Sequence, residues 1–359
     1  MSSLNQLVSS ILGAIDGNRP FVIFSEPGTG QARAYFQNTD QVESKASFSG
    51  EGFVFAPYQF EDNGLFLHFD QCDSLLLDPN ETTGEGLQIE HGQYHGSEQE
   101  RASYLKLVQD ALSLINFRMA KKVVTSRKTV VPLASFQWEN LIKNLFGLYP
   151  DAFTYIWYHP ASGVWCGATP ELLVQTDGLE FHTMALAGTR PYQQYLPADW
   201  SVKEEEEQQL VVDFIVNRLQ KVTSVVKLSK TRTHRAGTVV HLRTDISGIL
   251  KKNKTTLESL VKTLHPTSAV CGMPRKLVTK FLQENEGYDR DYYTGFLGVF
   301  NSDKGLGELY VNLRCMQLDP KEATIYVGGG ITEASDAEAE WQETENKKQT
   351  MLDVLAPML

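Results

Sequence analysis

The sequence predicts one large mixed α/β protein whose strands are joined mainly as antiparallel hairpins. Segments with helical spacing of apolar residues alternate with β-branched and aromatic runs, in an order that does not match a regular βαβ winding. The stretch "VFNSDKGLGELYV", residues 299–311, has two apolar runs around a glycine-containing turn, which is typical of a hairpin. No linker, low-complexity tract or fixed-period repeat divides the 359 residues.

The first 95 residues are predicted to form a strand-rich part of this same fold. Apolar residues at helical spacing indicate a helix over residues 3–15. Short apolar runs bounded by Gly, Pro and Asp then predict three strands, "PFVIF", "GFVFAPY" and "GLFLHF". This region contains no cluster of reactive side chains, so we expect the chemistry to lie beyond it.

The remainder, residues 96–359, contains the longer predicted helices and most of the strands. Helices are predicted over 98–117, 135–150, 200–221, 255–264 and 275–285, with a closing helix from about Ser335. Strands are predicted over 121–131, 153–159, 163–168, 179–186 and 236–248, with three more between Tyr293 and Val327.

Charge and composition exclude several classes of protein. Lys and Arg number 33 against 44 Asp and Glu, and the net charge of −11 disfavours binding to a nucleic-acid backbone or an anionic membrane. An anionic ligand must therefore meet a local group of cations. The four cysteines show no metal-binding spacing and fit a reducing compartment. Because no apolar run approaches the roughly 20 residues of a membrane span and the N-terminus lacks a basic signal-peptide segment, we expect a cytoplasmic protein.

Two predicted helices carry carboxylates on one face. In the closing helix, Glu340, Glu343 and Lys347 are at positions i, i+3 and i+7 and therefore share a face. In "DWSVKEEEEQQLVVDFIV", Glu204 and Glu207 share a face that the following apolar run turns partly inward. An acidic helix face is most often solvated. Two such carboxylate pairs are, however, also a hard-oxygen set suited to Mg²⁺.

The closing helix is preceded by Gly328, Gly329 and Gly330, which are predicted to end a strand. Glycines at this place leave backbone N–H groups accessible near a helix N-terminus, where a carboxylate is stabilised. A tight crossing of two chain segments is an equal alternative. Arg314 lies in "YVNLRCMQL", which otherwise predicts a buried strand, so its charge needs an anionic partner, either a ligand or a structural carboxylate.

Two further residues are candidates for acid–base chemistry. Lys122 leads into a predicted buried strand, where desolvation favours the neutral amine that a base requires. Glu171 in "GATPELL" begins a short apolar turn after Pro170, and desolvation there raises the pKa of a carboxyl and suits it to act as an acid. His241, in "VVHLRT", is either a core histidine, which is the commoner case, or part of a polar cavity.

Nine stretches, in the same order and at similar spacings, resemble the chorismate-utilising enzymes, which include isochorismate, salicylate and aminodeoxychorismate synthases and anthranilate synthase component I. The stretches are "KVVTSR", "GATPELL", "ALAGTR", "KEEEEQQLVVDFI", "HLRTDISG", "HPTSAVCGMPR", "YYTGFLG", "VNLRC" and "GGGITEASDAEAEWQETENK". The resemblance implies an α/β (α+β) fold like that of anthranilate synthase component I, a sandwich of two antiparallel β-sheets with helices packed outside. It also implies that residues 96–359 form the chorismate-binding catalytic region.

The resemblance further implies roles for individual residues. Lys122 corresponds to the base that activates water for attack at C2 of chorismate, and Glu171 to the acid that protonates the departing C4 hydroxyl. The residues placed near Mg²⁺ are Glu204, Glu207, Glu340 and Glu343. Those placed at the substrate are Gly188, Thr189, His241, Ala269, Tyr293, Arg314, Gly328, Gly330 and Lys347. The family implies no organic cofactor and no nucleic-acid partner, and the expected form is a monomer.

Three positions separate members of this family. Ala187 stands where aminodeoxychorismate synthases of one type carry a nucleophilic lysine, and Lys122 favours water over ammonia as the nucleophile. Ala269, followed by Val270, is similar to isochorismate synthases of the siderophore type, whereas salicylate synthases carry threonine at this position. The resemblance therefore favours an isochorismate synthase, whose product would serve a menaquinone, a siderophore or another salicylate-derived pathway. A salicylate synthase is the alternative, and a catalytically silent binding subunit is the third hypothesis.

Overall fold

The computed structural model describes residues 2–40, 47–78, 91–191, 199–236 and 239–359. Within these ranges no helix combines the length and the apolar character needed to cross a lipid bilayer. The expected α/β class is confirmed, because the described chain forms two large antiparallel β-sheets with helices packed against them.

The helices lie close to their predicted positions, and their ends follow ordinary capping chemistry. They are α1 (Leu4–Asp16), α2 (Glu98–Asn116), α3 (Trp138–Leu148), α4 (Val202–Leu219), α5 (Leu257–Leu264), α6 (Arg275–Asn285) and α7 (Ala337–Leu355). Ser97 and Glu100 form a capping box at the start of α2, and the side chain of Asp336 accepts a hydrogen bond from the Ala339 N–H at the start of α7.

The strands are short and follow one another mostly as hairpins. They are β1 (Phe21–Ser25), β2 (Ala32–Gln37), β3 (Glu51–Ala56), β4 (Leu65–His68), β5 (Cys72–Leu76), β6 (Lys122–Pro132), β7 (Phe153–His159), β8 (Gly163–Thr169), β9 (Leu172–Asp177), β10 (Glu180–Pro191), β11 (Thr223–Leu228), β12 (Arg232–Ala236), β13 (Val239–Leu250), β14 (Gly272–Met273), β15 (Phe296–Asn301), β16 (Leu306–Val311), β17 (Cys315–Asp319) and β18 (Glu322–Ile331).

The strands divide between two sheets. The first sheet has the order β14-β6-β18-β17-β8-β7-β1-β2-β5, and the second has the order β11-β13-β10-β9-β16-β15-β3-β4, with β12 also paired to β13. Strands from the first 95 residues complete both sheets at one end. Strands β6, β18, β10 and β13, which frame the cavity described below, come from the later part of the chain.

The uninterrupted apolar run of β1 is explained by burial of both faces of the first sheet. Val22 and Phe24 point into an aromatic layer between the two sheets, where Phe24 packs against Phe53 of β3 with ring centroids 5.5 Å apart. Phe21 and Ile23 point the other way, into the core beneath α1, α3 and α7. Because side chains alternate along a strand, a strand covered on both faces is apolar at every position.

The second sheet is covered in the same way by α4 and α5. Val211, Ile215 and Leu219 of α4 and Leu260 of α5 pack with the outward-facing residues of the second sheet, such as Val54. The apolar residues of α4 begin only after its first two turns. The acidic N-terminal turns of α4 therefore extend beyond this core, towards the space between the sheets.

The structure corrects the predicted number of strands between Tyr293 and Val327, which is four and not three. The segment "YVNLRCMQL" is not one strand, because β16 ends at Val311 in the second sheet and β17 begins at Cys315 in the first sheet. Arg314 lies at this crossover with φ of 48°, in the left-handed region. Its carbonyl accepts a hydrogen bond from the Ala168 N–H.

Candidate active site

A cavity of about 190 Å³ lies between the two sheets, next to β6 and β18 of the first sheet and β10 and β13 of the second. The N-terminal turns of α4 and the first half of α7 complete its wall. Of the residues predicted to form a site, all but Thr189 line this cavity. Thr189 pairs with His241 across β10 and β13, and its side chain lies outside the described parts of the structure.

Lys122 is the first residue of β6, and its side chain is only 3% exposed. Its Nζ donates a hydrogen bond to Oε1 of Glu207, at 2.8 Å. A Cβ atom added to Gly330 would lie 3.3 Å from the Lys122 Nζ and 3.0 Å from its Cε. The side-chain nitrogen of Lys122 is therefore held between α4 and the glycine-rich end of β18, where a side chain at position 330 would require it to shift by a few tenths of an ångström.

Glu171 lies where the chain crosses from β8 in the first sheet to β9 in the second. Its carbonyl accepts a hydrogen bond from the Val311 N–H, so this crossover is fixed beside the one that carries Arg314. Desolvation by the surrounding protein raises the pKa of Glu171 to about 7, although the charges of Lys122 and Lys347 act in the opposite direction. The raised pKa keeps part of the Glu171 population protonated near neutral pH, which suits a general acid.

The four predicted metal-binding carboxylates all face the cavity. Glu207 accepts a hydrogen bond from Lys122, Glu204 from Arg190 at 2.9 Å, and Glu343 from Lys347 at 2.6 Å. Glu340 is 7% exposed, and its Oε2 would lie 3.1 Å from a Cβ added to Gly329.

No three His, Cys, Asp or Glu side chains within the described ranges form a group that could chelate a metal directly. Because Mg²⁺ is commonly bound by one or two carboxylates together with waters and a ligand anion, the donor chemistry still fits this ion.

The three glycines lie within the last four residues of β18, so they end a strand as predicted. β18 pairs with β6 along its whole length, so that Gly328 lies opposite Ser126. Its pairing with β17 ends at Tyr326, so the other edge of β18 has no strand partner among the described residues along positions 327–331. In an antiparallel ladder alternate residues point their N–H and C=O groups to opposite edges. Gly328 directs its carbonyl to this open edge, where Lys347 donates to it at 2.9 Å.

The close crossing given as one alternative for the glycine run is present, and carboxylate binding at its N–H groups stays a prediction. The N–H groups of Gly328 and Gly330 face the cavity edge, because these two residues share the orientation of the Gly328 carbonyl. A Cβ atom on Gly328 would also lie 2.5 Å from the Thr125 carbonyl oxygen and 3.0 Å from the Tyr293 hydroxyl. The glycine run of β18 therefore both passes close to neighbouring atoms and leaves backbone N–H groups at the open edge of the strand.

Arg314 presents a cation to the cavity without a matching carboxylate. Its Nη1 donates a hydrogen bond to Thr350 Oγ1 at 2.9 Å, and in the described parts of the chain it forms no ion pair. Desolvation lowers its pKa, and the charge of Glu343 acts in the opposite direction. A desolvated guanidinium is unfavourable unless an anion approaches it, so this position is suited to a ligand carboxylate.

His241 is a cavity residue, and its ring is neutral. Burial lowers its pKa to about 4, and its Nδ1 lies 3.0 Å from the Gly188 carbonyl oxygen. A carbonyl only accepts, so Nδ1 carries the proton and Nε2 is an acceptor. Gly188 has φ of 67° at a bulge between β10 and β13, and a Cβ there would lie 3.0 Å from the Cβ of Glu204.

The remaining predicted residues, Ala269 and Tyr293, also line the cavity. Three further residues that were not predicted, Thr294, Leu313 and Tyr326, line it as well. Each of these three adjoins a predicted feature, namely Tyr293, Arg314 and the glycine run. Their closeness in sequence to a predicted feature is therefore the signal by which these three residues could have been found.

Comparison with known proteins agrees with this geometry. The model of the chorismate binding enzyme family matches residues 71–356. Isochorismate synthase EntC of Escherichia coli K12 is 30% identical over 265 residues, which are 71% of this chain and 67% of that protein. The structure of the menaquinone-specific isochorismate synthase MenF of Escherichia coli superposes with a TM-score of 0.76 and 22% identity, covering 94% of this chain and 88% of that one.

Anthranilate synthase component I of Streptococcus pneumoniae shares the fold at a TM-score of 0.69 and 20% identity, over 92% of this chain and 90% of that one. The predicted two-sheet sandwich is thereby confirmed. A family model that matches most of the chain and a relative of 30% identity lead to one conclusion. The chain belongs to the family of chorismate-binding enzymes.

Proposed function

We propose that the protein is an isochorismate synthase that converts chorismate reversibly to isochorismate. Water adds at C2, the ring double bonds shift, and the C4 hydroxyl leaves as water, so that no oxidant or reductant is consumed. The observation that carries this proposal is the presence of Lys122 and Glu171 in one cavity together with Arg314. Lys122 Nζ takes the proton of the attacking water, and the carboxyl of Glu171 protonates the departing hydroxyl.

The substrate carries two carboxylates, and the cavity offers two places for them. One is the guanidinium of Arg314, which no described carboxylate neutralises. The other is the open edge of β18, where the N–H groups of Gly328 and Gly330 lie beside Lys347. Such local donors allow a protein of net charge −11 to hold a dianion. Neutral His241 also lines the cavity, and the family resemblance places it at the substrate.

Mg²⁺ is the cofactor that this donor set supports. Glu204, Glu207, Glu340 and Glu343 face the cavity and would hold it, one or two of them directly and the others through its waters. A bound Mg²⁺ would neutralise substrate carboxylate charge. Three of these four side chains also form ion pairs, Glu207 with Lys122, Glu343 with Lys347 and Glu204 with Arg190.

Excess EDTA is expected to abolish turnover, and a molar excess of Mg²⁺ should restore it. The expectation follows because carboxylates facing a dianionic substrate repel it unless a cation lies between them. The measurement is the rate of isochorismate formation by dialysed protein, with a thermal melt to show that EDTA leaves the fold intact. Full activity in EDTA would exclude the metal assignment.

We further infer that residues 96–359 contain the whole active site, since the cavity lining runs from Lys122 to Lys347. Residues 1–95 then complete the two sheets. We also propose a cytoplasmic monomer that binds no nucleic acid and no membrane. The net charge and the four free cysteines, three of them buried, support this placement.

The direct test is to incubate the purified protein with chorismate and Mg²⁺ and follow the mixture by NMR, with lactate dehydrogenase as a coupled assay for pyruvate. Isochorismate that accumulates to a fixed ratio with chorismate, without pyruvate, is the expected result. Salicylate with equimolar pyruvate would identify the alternative, a salicylate synthase. No turnover would leave the catalytically silent subunit as the correct hypothesis.

A further inference from the structure

Glu286 and Arg290 form an ion pair behind the cavity wall, and neither residue lines the cavity. Each side chain is 2% exposed. Building on the proposed function, we propose that Glu286 and Arg290 are positioning residues that fix the strand carrying Lys122 relative to the wall formed by Ala269 and Val270.

All five N–H donors of Arg290 have acceptors. Two bonds reach Glu286, at 2.7 and 2.5 Å. The other three reach the Val270 carbonyl at 2.8 Å, the Val124 carbonyl at 2.7 Å and Thr294 Oγ1 at 3.3 Å. Val270, Val124 and Thr294 all line the cavity, so one planar guanidinium connects three separate parts of its wall.

The location of these carbonyls explains why a guanidinium is needed. β14 has only two residues, and its ladder with β6 ends with the bond from Val124 N–H to the Cys271 carbonyl. Beyond that point the carbonyls of Val124 and Val270 cannot bond to each other, because both groups are acceptors. Arg290 places one nitrogen on each carbonyl and so continues the connection where the sheet stops.

Glu286 performs the matching task on the same edge of β6. Its Oε1 accepts from both the N–H and the hydroxyl of Ser126, each at 2.8 Å. The pair therefore holds the edge of β6 from Val124 to Ser126, within two to four residues of Lys122. A buried ion pair is weak evidence for stability, because apolar residues of similar volume often replace one without loss. The hydrogen bonds of this pair instead connect β6, which carries Lys122, to the opposite cavity wall at Val270.

The test compares Arg290→Lys with the wild-type enzyme. Lysine keeps the charge but cannot place nitrogens on both carbonyls and on Glu286 in one plane. We expect kcat for isochorismate formation to fall at least tenfold, since displacement of a reacting group by about 1 Å costs up to roughly 10²-fold. KM, and the dissociation constant of chorismate measured by calorimetry, should stay within about threefold, because Arg314 and the β18 edge remain in place.

A matched control separates positioning from general destabilisation. Leu7→Ala removes a fully buried side chain of α1, in the core outside the first sheet. This control should lower the melting temperature and leave kcat unchanged. A kcat of Arg290→Lys within twofold of wild type would overturn the proposal, and so would a large rise in KM with normal kcat. The proposal would also fail if Leu7→Ala lost kcat in proportion to its loss of melting temperature.

A second variant covers the case in which Arg290→Lys does not fold. Glu286→Gln keeps the shape and an oxygen for Ser126 but removes the charge that holds Arg290. It should lower kcat about threefold or more with an unchanged dissociation constant, and unchanged kcat would overturn the proposal. If the wild-type protein itself does not form isochorismate, the proposed function fails; if it does and both variants match it, only the positioning role fails.

Discussion

Lys122→Ala is expected to reduce kcat for isochorismate formation by roughly 10²- to 10⁴-fold, the usual contribution of a positioned general base. The side chain is 3% exposed and held by Glu207 next to Gly330, so neither bulk water nor another amine replaces it. KM for chorismate should change little, because Arg314 and the β18 edge still bind the carboxylates. The measurement is a steady-state profile at saturating Mg²⁺, with circular dichroism to confirm folding.

The adjacent Lys121→Ala is the matched control. Lys121 is exposed, and its backbone N–H donates a hydrogen bond to the Met273 carbonyl at 2.8 Å. Its alanine variant should retain wild-type kcat. Near-normal turnover by Lys122→Ala would show that Lys122 is not the base. Glu207 and His241 would then be the remaining candidates.

Glu171→Gln is expected to lower kcat by a similar roughly 10²- to 10⁴-fold, because the amide cannot deliver a proton to the departing hydroxyl. In the wild-type enzyme burial raises the pKa of Glu171 to about 7. The acid works in its protonated form, so kcat/KM should be highest below that value and decline as the pH rises through it. The measurement is the pH dependence of kcat/KM from about pH 6 to 9.

The residual activity of Glu171→Gln should lack this alkaline decline. Glu180→Gln, at the exposed start of β10, is the control and should keep both the rate and the pH profile. An alkaline decline that persists unchanged in Glu171→Gln would assign the titrating group to another residue. The proton donor would then have to be sought elsewhere in the cavity.

Parts of this site follow from local sequence alone. The i, i+3 and i+7 spacing of Glu340, Glu343 and Lys347 fixes them on one face of a helix, and α7 indeed presents all three to the cavity. The start of α4 after Ser201 similarly places Glu204 and Glu207 together. The functional roles came from the resemblance to a family and not from these spacings.

Other parts could not be predicted locally. The strand assigned to "YVNLRCMQL" was wrong, because the left-handed conformation of Arg314 takes the chain from one sheet to the other. Periodicity does not show such a crossover, since the flanking residues Val311 and Cys315 are equally apolar. The strands β2, β5, β9, β11 and β12 were also not predicted. In β2 and β5 half-buried or exposed positions interrupt the apolar pattern.

The sequence by itself determined the mixed α/β class, the long helices and the acidic faces that they carry, because helix and strand periodicity are properties of neighbouring residues. Only the tertiary structure brought Lys122 of β6 and Glu171, 49 positions later in the printed sequence, to one cavity. It also paired Lys122 with Glu207 and joined Val124 to Val270 through Arg290. These contacts depend on which strands pair and which carbonyls a sheet leaves without donors, and burial of the whole chain decides both.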